Sequence, residues 1–437
     1  MEELRGNPKV IRAWTIFDWA NSVYQLSITS AILPAYYGFV AKGDEHGMVS
    51  FFGFQVVNTS LYAWAVSASF LIVALFSPIL ASIADYTGRR KFFMKLFTWI
   101  GGLSCAGLYF FTAENLEWGI IAFTLAGIGY SGGLVFYNAW LPEIAPEGQE
   151  DHISARGYAL GYIGGVILLI INLVMLLKPA LFGIHIPGMA ARISFITVGI
   201  WWIGFAQYTF LYLPKRTSTK PNIVNPILNG YKELAKVWKE FRQTRVLRIY
   251  LMAFFFTMMA VLTIMYMAAN FGKKEIGLKD EVLIPTILII QLVGVAGSIG
   301  FARLSRRYGN MEAMMLSVII WIGICVGAYY VTESIGFMIL ASVVGLVMGG
   351  VQALARSTYS RLLPPTNDHT AYFSFYDVTE KMSVVLGTFL FGLLETLTGS
   401  MRASILLLGV LFMLGLYFLI RLRSLKIPAI TVNANAK

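Results

Sequence analysis

Charged side chains inside apolar segments are the residues of this sequence best suited to chemistry. Asp18 lies in the first apolar segment, and Asn21 and Gln25 follow it at helical spacing. A charged group in the middle of a lipid-embedded helix costs at least about 2.5 kcal/mol, so it needs a partner or a task. We expect Asp18 either to carry a proton or recognise a substrate cation, or to be a structural carboxylate paired with a lysine or arginine. Asn21 and Gln25 are candidates to share its polar stripe.

A second group of charges, Asp377, Glu380 and Lys381, lies in a late apolar segment. Asp377 and Lys381 are four residues apart, which predicts an ion pair on one helix face and leaves Glu380 uncompensated. The pair either lets the helix insert into lipid, or breaks and re-forms as protons or substrate bind.

Gln352 and Arg356 have the same four-residue spacing in a third apolar segment. An amide and a guanidinium on one face suit a carboxylate or phosphate of a substrate. The alternative is that Arg356 anchors its helix at the membrane interface. Tyr137 and Asn138, at the end of a glycine-rich segment, are candidate cavity residues that could equally bond a neighbouring helix.

Membrane-spanning helices must position these residues. With 57% hydrophobic and 13% charged residues over 437 positions, the chain differs from ordinary water-soluble domains. A spanning helix needs roughly 20 mainly apolar residues. The sequence has twelve such segments, near residues 14–40, 54–84, 92–113, 117–141, 154–177, 190–213, 248–272, 281–304, 313–332, 335–361, 372–397 and 402–421. These runs are too long for barrel strands, so an all-α integral membrane protein is predicted.

Two pairs of landmarks indicate an internal repeat. Gly88 and Gly309 are 221 positions apart, and Pro142 and Pro364 are 222 apart. This period predicts two pseudo-symmetric six-helix bundles, residues 1–213 and 248–437, joined by a basic cytoplasmic linker at 214–247. Repeats with a site at their interface are typical of secondary transporters.

The net charge of +11 marks topology rather than a nucleic-acid surface. If the N-terminus is cytoplasmic, most Lys and Arg fall on cytoplasmic segments, as the positive-inside rule requires. Both termini are then expected to be cytoplasmic. No nucleic-acid partner is expected.

The linker itself has apolar residues at helical spacing. Tyr231 and Trp238 fall on one side of it, and Lys232, Lys236 and Lys239 fall on the other. This pattern predicts an amphipathic helix on the anionic inner leaflet. A solvated linker is the alternative.

The turn between the second and third segments contains Asp85, Gly88, Arg89 and Arg90. An aspartate near a helix N-terminus interacts favourably with the helix dipole, and the two arginines can pair with carboxylates of adjacent helices. Such contacts would close one face of a transporter. Cytoplasmic anchoring by positive charge alone is the alternative.

This turn resembles the signature loop of the major facilitator superfamily. Four further motifs resemble its vacuole effluxer-like branch, the autophagy-related amino-acid exporters; they are Asp18-Trp19-Ala20-Asn21-Ser22, Phe136-Tyr137-Asn138-Ala139, Gln352-Ala353-Leu354-Ala355-Arg356-Ser357 and Phe375-Tyr376-Asp377 with Lys381. The resemblance implies alternating access and efflux. Two positions depart from the signature: Ala81 replaces its first glycine, and Arg306 stands where the second half would repeat Asp85.

The predicted function is secondary active transport of a small solute, an amino acid or related metabolite, coupled to protons. The alternative is a membrane receptor or scaffold with a transporter-like fold. An enzyme is not expected. The four His, together with the two Cys that lie within apolar segments, give neither metal-ligand spacing nor a nucleophile with its base. No cofactor or metal is expected. The other expected partners are protons and the lipid bilayer. The protein is expected to be a monomer in the cell inner (plasma) membrane.

Overall fold

The computed structural model describes residues 4–43, 48–214 and 226–425. The first part of the predicted linker, 215–225, lies outside the described residues. Fifteen α-helices are present in the described part of the chain. They are α1 Pro8–Val23, α2 Leu33–Val40, α3 Asn58–Thr87, α4 Arg90–Gly107, α5 Leu116–Asn138, α6 Leu141–Ile144, α7 Glu150–Leu177, α8 Met189–Tyr212, α9 Pro226–Gln243, α10 Arg245–Ile276, α11 Asp280–Tyr308, α12 Asn310–Tyr330, α13 Ser334–Leu362, α14 His369–Thr398 and α15 Met401–Arg423.

Within the described ranges, eleven helical stretches are long and apolar enough to cross a membrane. The remaining predicted span is the first one, and it is composite: α1 and α2 are joined without a break by a π-helix, Tyr24–Ile32. Pro34 gives a physical reason for the wider turns. Its ring would clash with the carbonyl of Ser30 and it has no N–H to donate, so a regular α-helical bond cannot form there.

A short hairpin precedes the second span. Strand β1, Met48–Phe51, pairs antiparallel with β2, Phe54–Val57. The second long helix therefore begins at Asn58, a few residues later than the apolar pattern alone indicates.

Glycines allow very close helix contacts. A Cβ added to Gly349 of α13 would lie 2.3 Å from the carbonyl oxygen of Gly294 in α11. A Cβ on Gly161 of α7 would lie 2.4 Å from the Ser22 Oγ of α1. These backbones approach to distances that any larger residue would prevent.

Most buried apolar side chains fall into two clusters. One is drawn from residues 10–213 and the other almost entirely from 237–422. The turns after α3 and α11 lie at one end of the molecule, together with α9. We call this the basic end, because Arg89, Arg306 and Arg307 are exposed there, and we call the opposite end the cavity end.

Candidate functional site

Asp18 and Arg356 form a buried ion pair between α1 and α13. The guanidinium Nη1 and Nη2 atoms each lie 3.2 Å from Asp18 Oδ2. Tyr137 donates its hydroxyl to the same oxygen at 2.7 Å, and Arg356 also donates to the hydroxyl and carbonyl oxygens of Ser154 at 2.9 and 2.8 Å. We call these residues the Asp18 cluster. Every charge in it has a partner, which is what a buried pair requires.

Aromatic rings enclose the Arg356 guanidinium. Its Cζ lies 4.7 Å from the centroid of Trp14 and 4.3 Å from that of Tyr158. Rings at this distance attract a cation through their quadrupole. Gly157 passes so close that an added Cβ would be 2.3 Å from Asp18 Oδ2.

A second cluster surrounds Arg90, whose side chain is 0% exposed. Its guanidinium lies 3.0 Å from Asp85 Oδ1 and 3.1 Å from Glu143 Oε1, and its Nε donates to Thr370 at 2.6 Å. Asp85 Oδ2 accepts the backbone N–H of Ala371 at 2.9 Å. Because α14 begins at His369, Asp85 lies at the positive end of that helix dipole. We call this the Arg90 cluster.

A third cluster forms around Asp151 in the first turn of α7. Arg361 Nη2 lies 3.0 Å from Asp151 Oδ2, and Asn310 donates to Asp151 Oδ1 at 2.9 Å. Ser305 also donates to this carboxylate. We call this the Asp151 cluster. It holds the turn between α11 and α12 against α7, just as the Arg90 cluster holds the turn between α3 and α4 against α14.

All three clusters join residues before 214 to residues after 300 at the basic end. Above them, a polar pocket of about 140 Å³ lies near the middle of the molecule. Its charged lining residues are Glu380 and Lys381, and its polar ones include Gln25, Gln352 and four tyrosines. The Tyr162 hydroxyl donates to Gln352 Oε1 at 2.9 Å across this pocket.

A larger cavity of about 740 Å³ continues from the pocket toward the cavity end. The two share Phe70, Met265, Tyr266, Gln291 and Val384 as lining residues. The cavity also reaches Asn270 and Thr388, which lie in the halves of α10 and α14 away from the basic end. In this conformation, polar clusters therefore close the basic end, and the large cavity lies toward the cavity end.

Lys381 bonds two acids of its own helix, Asp377 and Glu380. Its Nζ lies 2.8 Å from Asp377 Oδ1, as the four-residue spacing predicts, and 3.2 Å from Glu380 Oε2. The expectation that Glu380 is left uncompensated is therefore wrong, because the flexible lysine stem reaches the adjacent carboxylate too. The Glu380 side chain keeps 28% exposure, and Asp377 Oδ2 is buried without a hydrogen-bond partner in the described part of the chain.

Comparisons with known proteins identify the family of this chain. The family model described as vacuole effluxer Atg22 like matches residues 6–426. The chain belongs to the Atg22-like vacuole effluxer family. The MFS-type transporter YxiO of Bacillus subtilis (strain 168) is 32% identical over 410 residues, which cover 93% of each protein. Autophagy-related protein 22 of Gibberella zeae is 23% identical over 459 residues, covering 84% of this chain and 69% of its own length.

Solved structures agree on the architecture of this Atg22-like protein. The E. coli fucose:proton symporter FucP superposes with a TM-score of 0.69 at 13% identity, covering 95% of this chain and 97% of its own. The fold is thus the major facilitator fold, as predicted. This Atg22-like chain is a multi-pass membrane transporter with a small-molecule substrate.

The structure brings many of the predicted site residues of this Atg22-like transporter together, but in two places. Asp18, Tyr137 and Arg356 meet in the Asp18 cluster, where Asn138 Oδ1 also accepts from Arg356 at 3.4 Å. Gln25, Gln352, Glu380 and Lys381 line the pocket. The proposed anchoring of Arg356 at the interface is wrong, because the side chain is 2% exposed and paired. The same pairing means that the carboxylate it binds here belongs to the protein.

Three predicted residues take other positions. Asn21 is buried but is not among the lining residues of the pocket. Gly88 ends α3 with a left-handed φ of 68°, which favours glycine. Arg89 does not join Arg90 at a carboxylate: its side chain is exposed and its backbone caps α4. Successive residues at a helix start point in different directions, so one arginine faces inward and the other outward.

Sequence reasoning missed Glu143, Asp151, Arg361, Ser154 and Thr370 as members of the clusters. Acidic residues are common in the first turn of a helix, and Glu150 and Asp151 match that ordinary pattern, so they gave no distinct signal. Their contacts with Arg361 span more than 200 residues of sequence, which helical spacing does not reveal.

Proposed function

We propose that this chain is a secondary active transporter that exports an amino acid or a related zwitterionic metabolite by alternating access, coupled to protons. The observation that carries the proposal is the charge of the central pocket. Glu380 and Lys381 offer it a carboxylate and an ammonium side by side. A substrate with its own ammonium and carboxylate matches these two groups by opposite charge.

The position of the pocket supports alternating access. It lies where residues before 214 and after 248 meet, above three clusters that close the basic end. We propose that the two bundles, 1–213 and 248–437, rock about this pocket, with 214–247 as their linker. The basic end then faces the cytoplasm with both termini, in the cell inner membrane, and the protein works as a monomer.

We assign coupling to the Asp377, Glu380 and Lys381 group rather than to Asp18. Glu380 is open to the pocket, and Asp377 has an oxygen without a partner in the described structure. Both can change partners when substrate binds to Lys381. Asp18 is shielded by Tyr137 and Arg356, so we assign it to gating.

The test is transport by the full chain in proteoliposomes that contain a pH-sensitive dye. Zwitterionic amino acids should exchange across the membrane and move protons, whereas N-acetylated or esterified derivatives should do neither. Glu380→Gln should lose proton movement, and it should need a higher amino-acid concentration for exchange, because it removes the carboxylate proposed to meet the substrate ammonium. Glu395→Gln, which removes an acid from a partly exposed pair near the cavity end, is the matched control and should behave as wild type.

The outcome that contradicts the substrate assignment is transport of uncharged sugars or blocked derivatives without transport of free amino acids. Proton movement that is unchanged in Glu380→Gln would instead contradict the coupling assignment and leave transport intact.

A further inference from the structure

Helix α9 has an exposed surface that its packing leaves uncovered within the described structure. Val237 and Phe241 are buried against the rest of the protein, while Leu228, Tyr231 and Trp238 are exposed. These three residues are spaced as i, i+3 and i+10, so they form one apolar stripe along the helix. Exposed apolar patches rimmed by polar residues are typical of surfaces that contact a membrane or a partner.

The contacts of α9 place it against the lipid-facing sides of two spanning helices, α3 and α14. Gly230 of α9 packs against Ile83 of α3. A Cβ added to Gly230 would lie 2.7 Å from Ile83 Cγ1. Ile83 lies seven residues after Phe76, which is 55% exposed, so it continues the exposed apolar face of that helix toward the basic end.

The same relation holds on α14. The rings of Trp238 and Phe241 lie 5.4 and 5.7 Å from the ring of Phe375. Phe375 precedes Met382 and Phe389 by seven and fourteen residues, and Phe389 is 62% exposed. Helix α9 therefore crosses the lipid-facing sides of α3 and α14 where the spanning helices end, at the level of lipid headgroups.

Basic residues flank the apolar stripe. Lys232, Lys239 and Arg242 are exposed and spaced as i, i+7 and i+10, so they share a face of α9 that overlaps the edge of the stripe carrying Leu228. Apolar side chains at acyl-chain level beside cations at headgroup level suit an anionic phospholipid.

A ligand bound on α9 would act on both halves of the chain, because α9 is hydrogen-bonded to α3 and to α14. Asn229 donates to the Tyr86 hydroxyl of α3 at 2.9 Å, and Tyr372 of α14 donates to Glu240 at 3.0 Å. We propose that α9 is a binding surface for anionic phospholipid, and that the bound lipid stabilises the closed basic end by holding α9 across α3 and α14.

The test measures lipid binding and closure without any transport substrate. The full chain is placed in nanodiscs of phosphatidylcholine with or without phosphatidylglycerol. Retained phosphatidylglycerol is measured by native mass spectrometry. Closure is measured as the distance between spin labels at Arg89→Cys and Arg307→Cys, both exposed at the basic end, in a background without Cys105 and Cys325.

In wild type, phosphatidylglycerol should raise the short-distance population. A lysine near an anionic surface contributes roughly fivefold to binding, so Lys232→Gln with Lys239→Gln should weaken phosphatidylglycerol binding about 25-fold and abolish its effect on distance. Arg303→Gln with Arg306→Gln removes the same charge from an exposed site at the same end and should change neither.

Three outcomes would overturn the proposal. They are no effect of phosphatidylglycerol on the wild-type distance, an unchanged effect in the lysine variant, and an equal loss in the arginine control. The last would mean that only net charge attracts the lipid. Since no substrate is used, none of them bears on whether amino acids are transported.

Discussion

Asp18→Asn gives the sharpest test of how the basic end closes. In the closed conformation this change removes the carboxylate that lies 3.2 Å from two nitrogens of Arg356. An asparagine can still accept the hydrogen bond from Tyr137, but it leaves a buried guanidinium without a counter-charge. When the basic end opens, water can reach Arg356, so the substitution penalises the closed state far more than the open one.

The size of the shift follows from the burial of the pair. Removing one partner of a buried ion pair costs about 3–5 kcal/mol. Because asparagine keeps part of the hydrogen bonding, we take about 3 kcal/mol, which multiplies the open-to-closed ratio by roughly 150. The spin-label distance between positions 89 and 307 measures this ratio directly. The doubly neutral variant Asp18→Asn with Arg356→Gln should recover part of the closed population, because no buried charge is left unpaired.

Glu395→Gln is the control for this experiment. It removes an acid from the pair with Lys274, whose side chain is 60% exposed, and exposed pairs contribute only about 0–1 kcal/mol. A distance distribution in Asp18→Asn that matches wild type, from protein that is folded, would refute the assignment of this pair to closure.

The remaining predictions concern packing and burial. Gly157→Ala should also favour the open state, because the alanine Cβ would lie 2.3 Å from Asp18 Oδ2. Gly204→Ala is the control and should not, because the space around Gly204 is open. The spin-label distance between positions 89 and 307 measures both variants. Arg90→Lys should lower the unfolding temperature in detergent, because an ammonium cannot replace bonds to two carboxylates and Thr370 at once. The expected loss is about 3 kcal/mol, and an unfolding temperature equal to that of wild type would count against the Arg90 cluster as a stabilising contact.

The local part of this architecture was predictable from the sequence. Apolar length defines each span, and a four-residue spacing predicts the Asp377 and Lys381 pair, because both signals act within one helix. Asp18 and Arg356 were each identified as candidate charges within apolar segments, but they are 338 residues apart. That they pair with each other depends on how α1 and α13 pack, which no spacing encodes. The π-helix was missed for another reason: mean hydropathy is insensitive to helix pitch, and Pro34 was its only local sign.

The Asp151 cluster explains the departure at Arg306. The internal repeat predicts an acid at position 306, which is equivalent to Asp85. Without that acid, the second turn lacks the carboxylate that closes the first one. The structure supplies that carboxylate from the opposite side: Asp151 of α7 accepts bonds from Ser305 and Asn310 and pairs with Arg361. An aspartate at 306, next to Ser305, would bring a second negative charge close to Asp151. The two turns are therefore closed in equivalent places by acids of the first half, Asp85 and Glu143 at the first turn and Asp151 at the second. Their arginine partners differ in origin: Arg90 comes from the first half and Arg361 from the second. Separation of the halves at the basic end must break both sets of contacts, and the symmetry that matters for closure is one of position rather than of residue type.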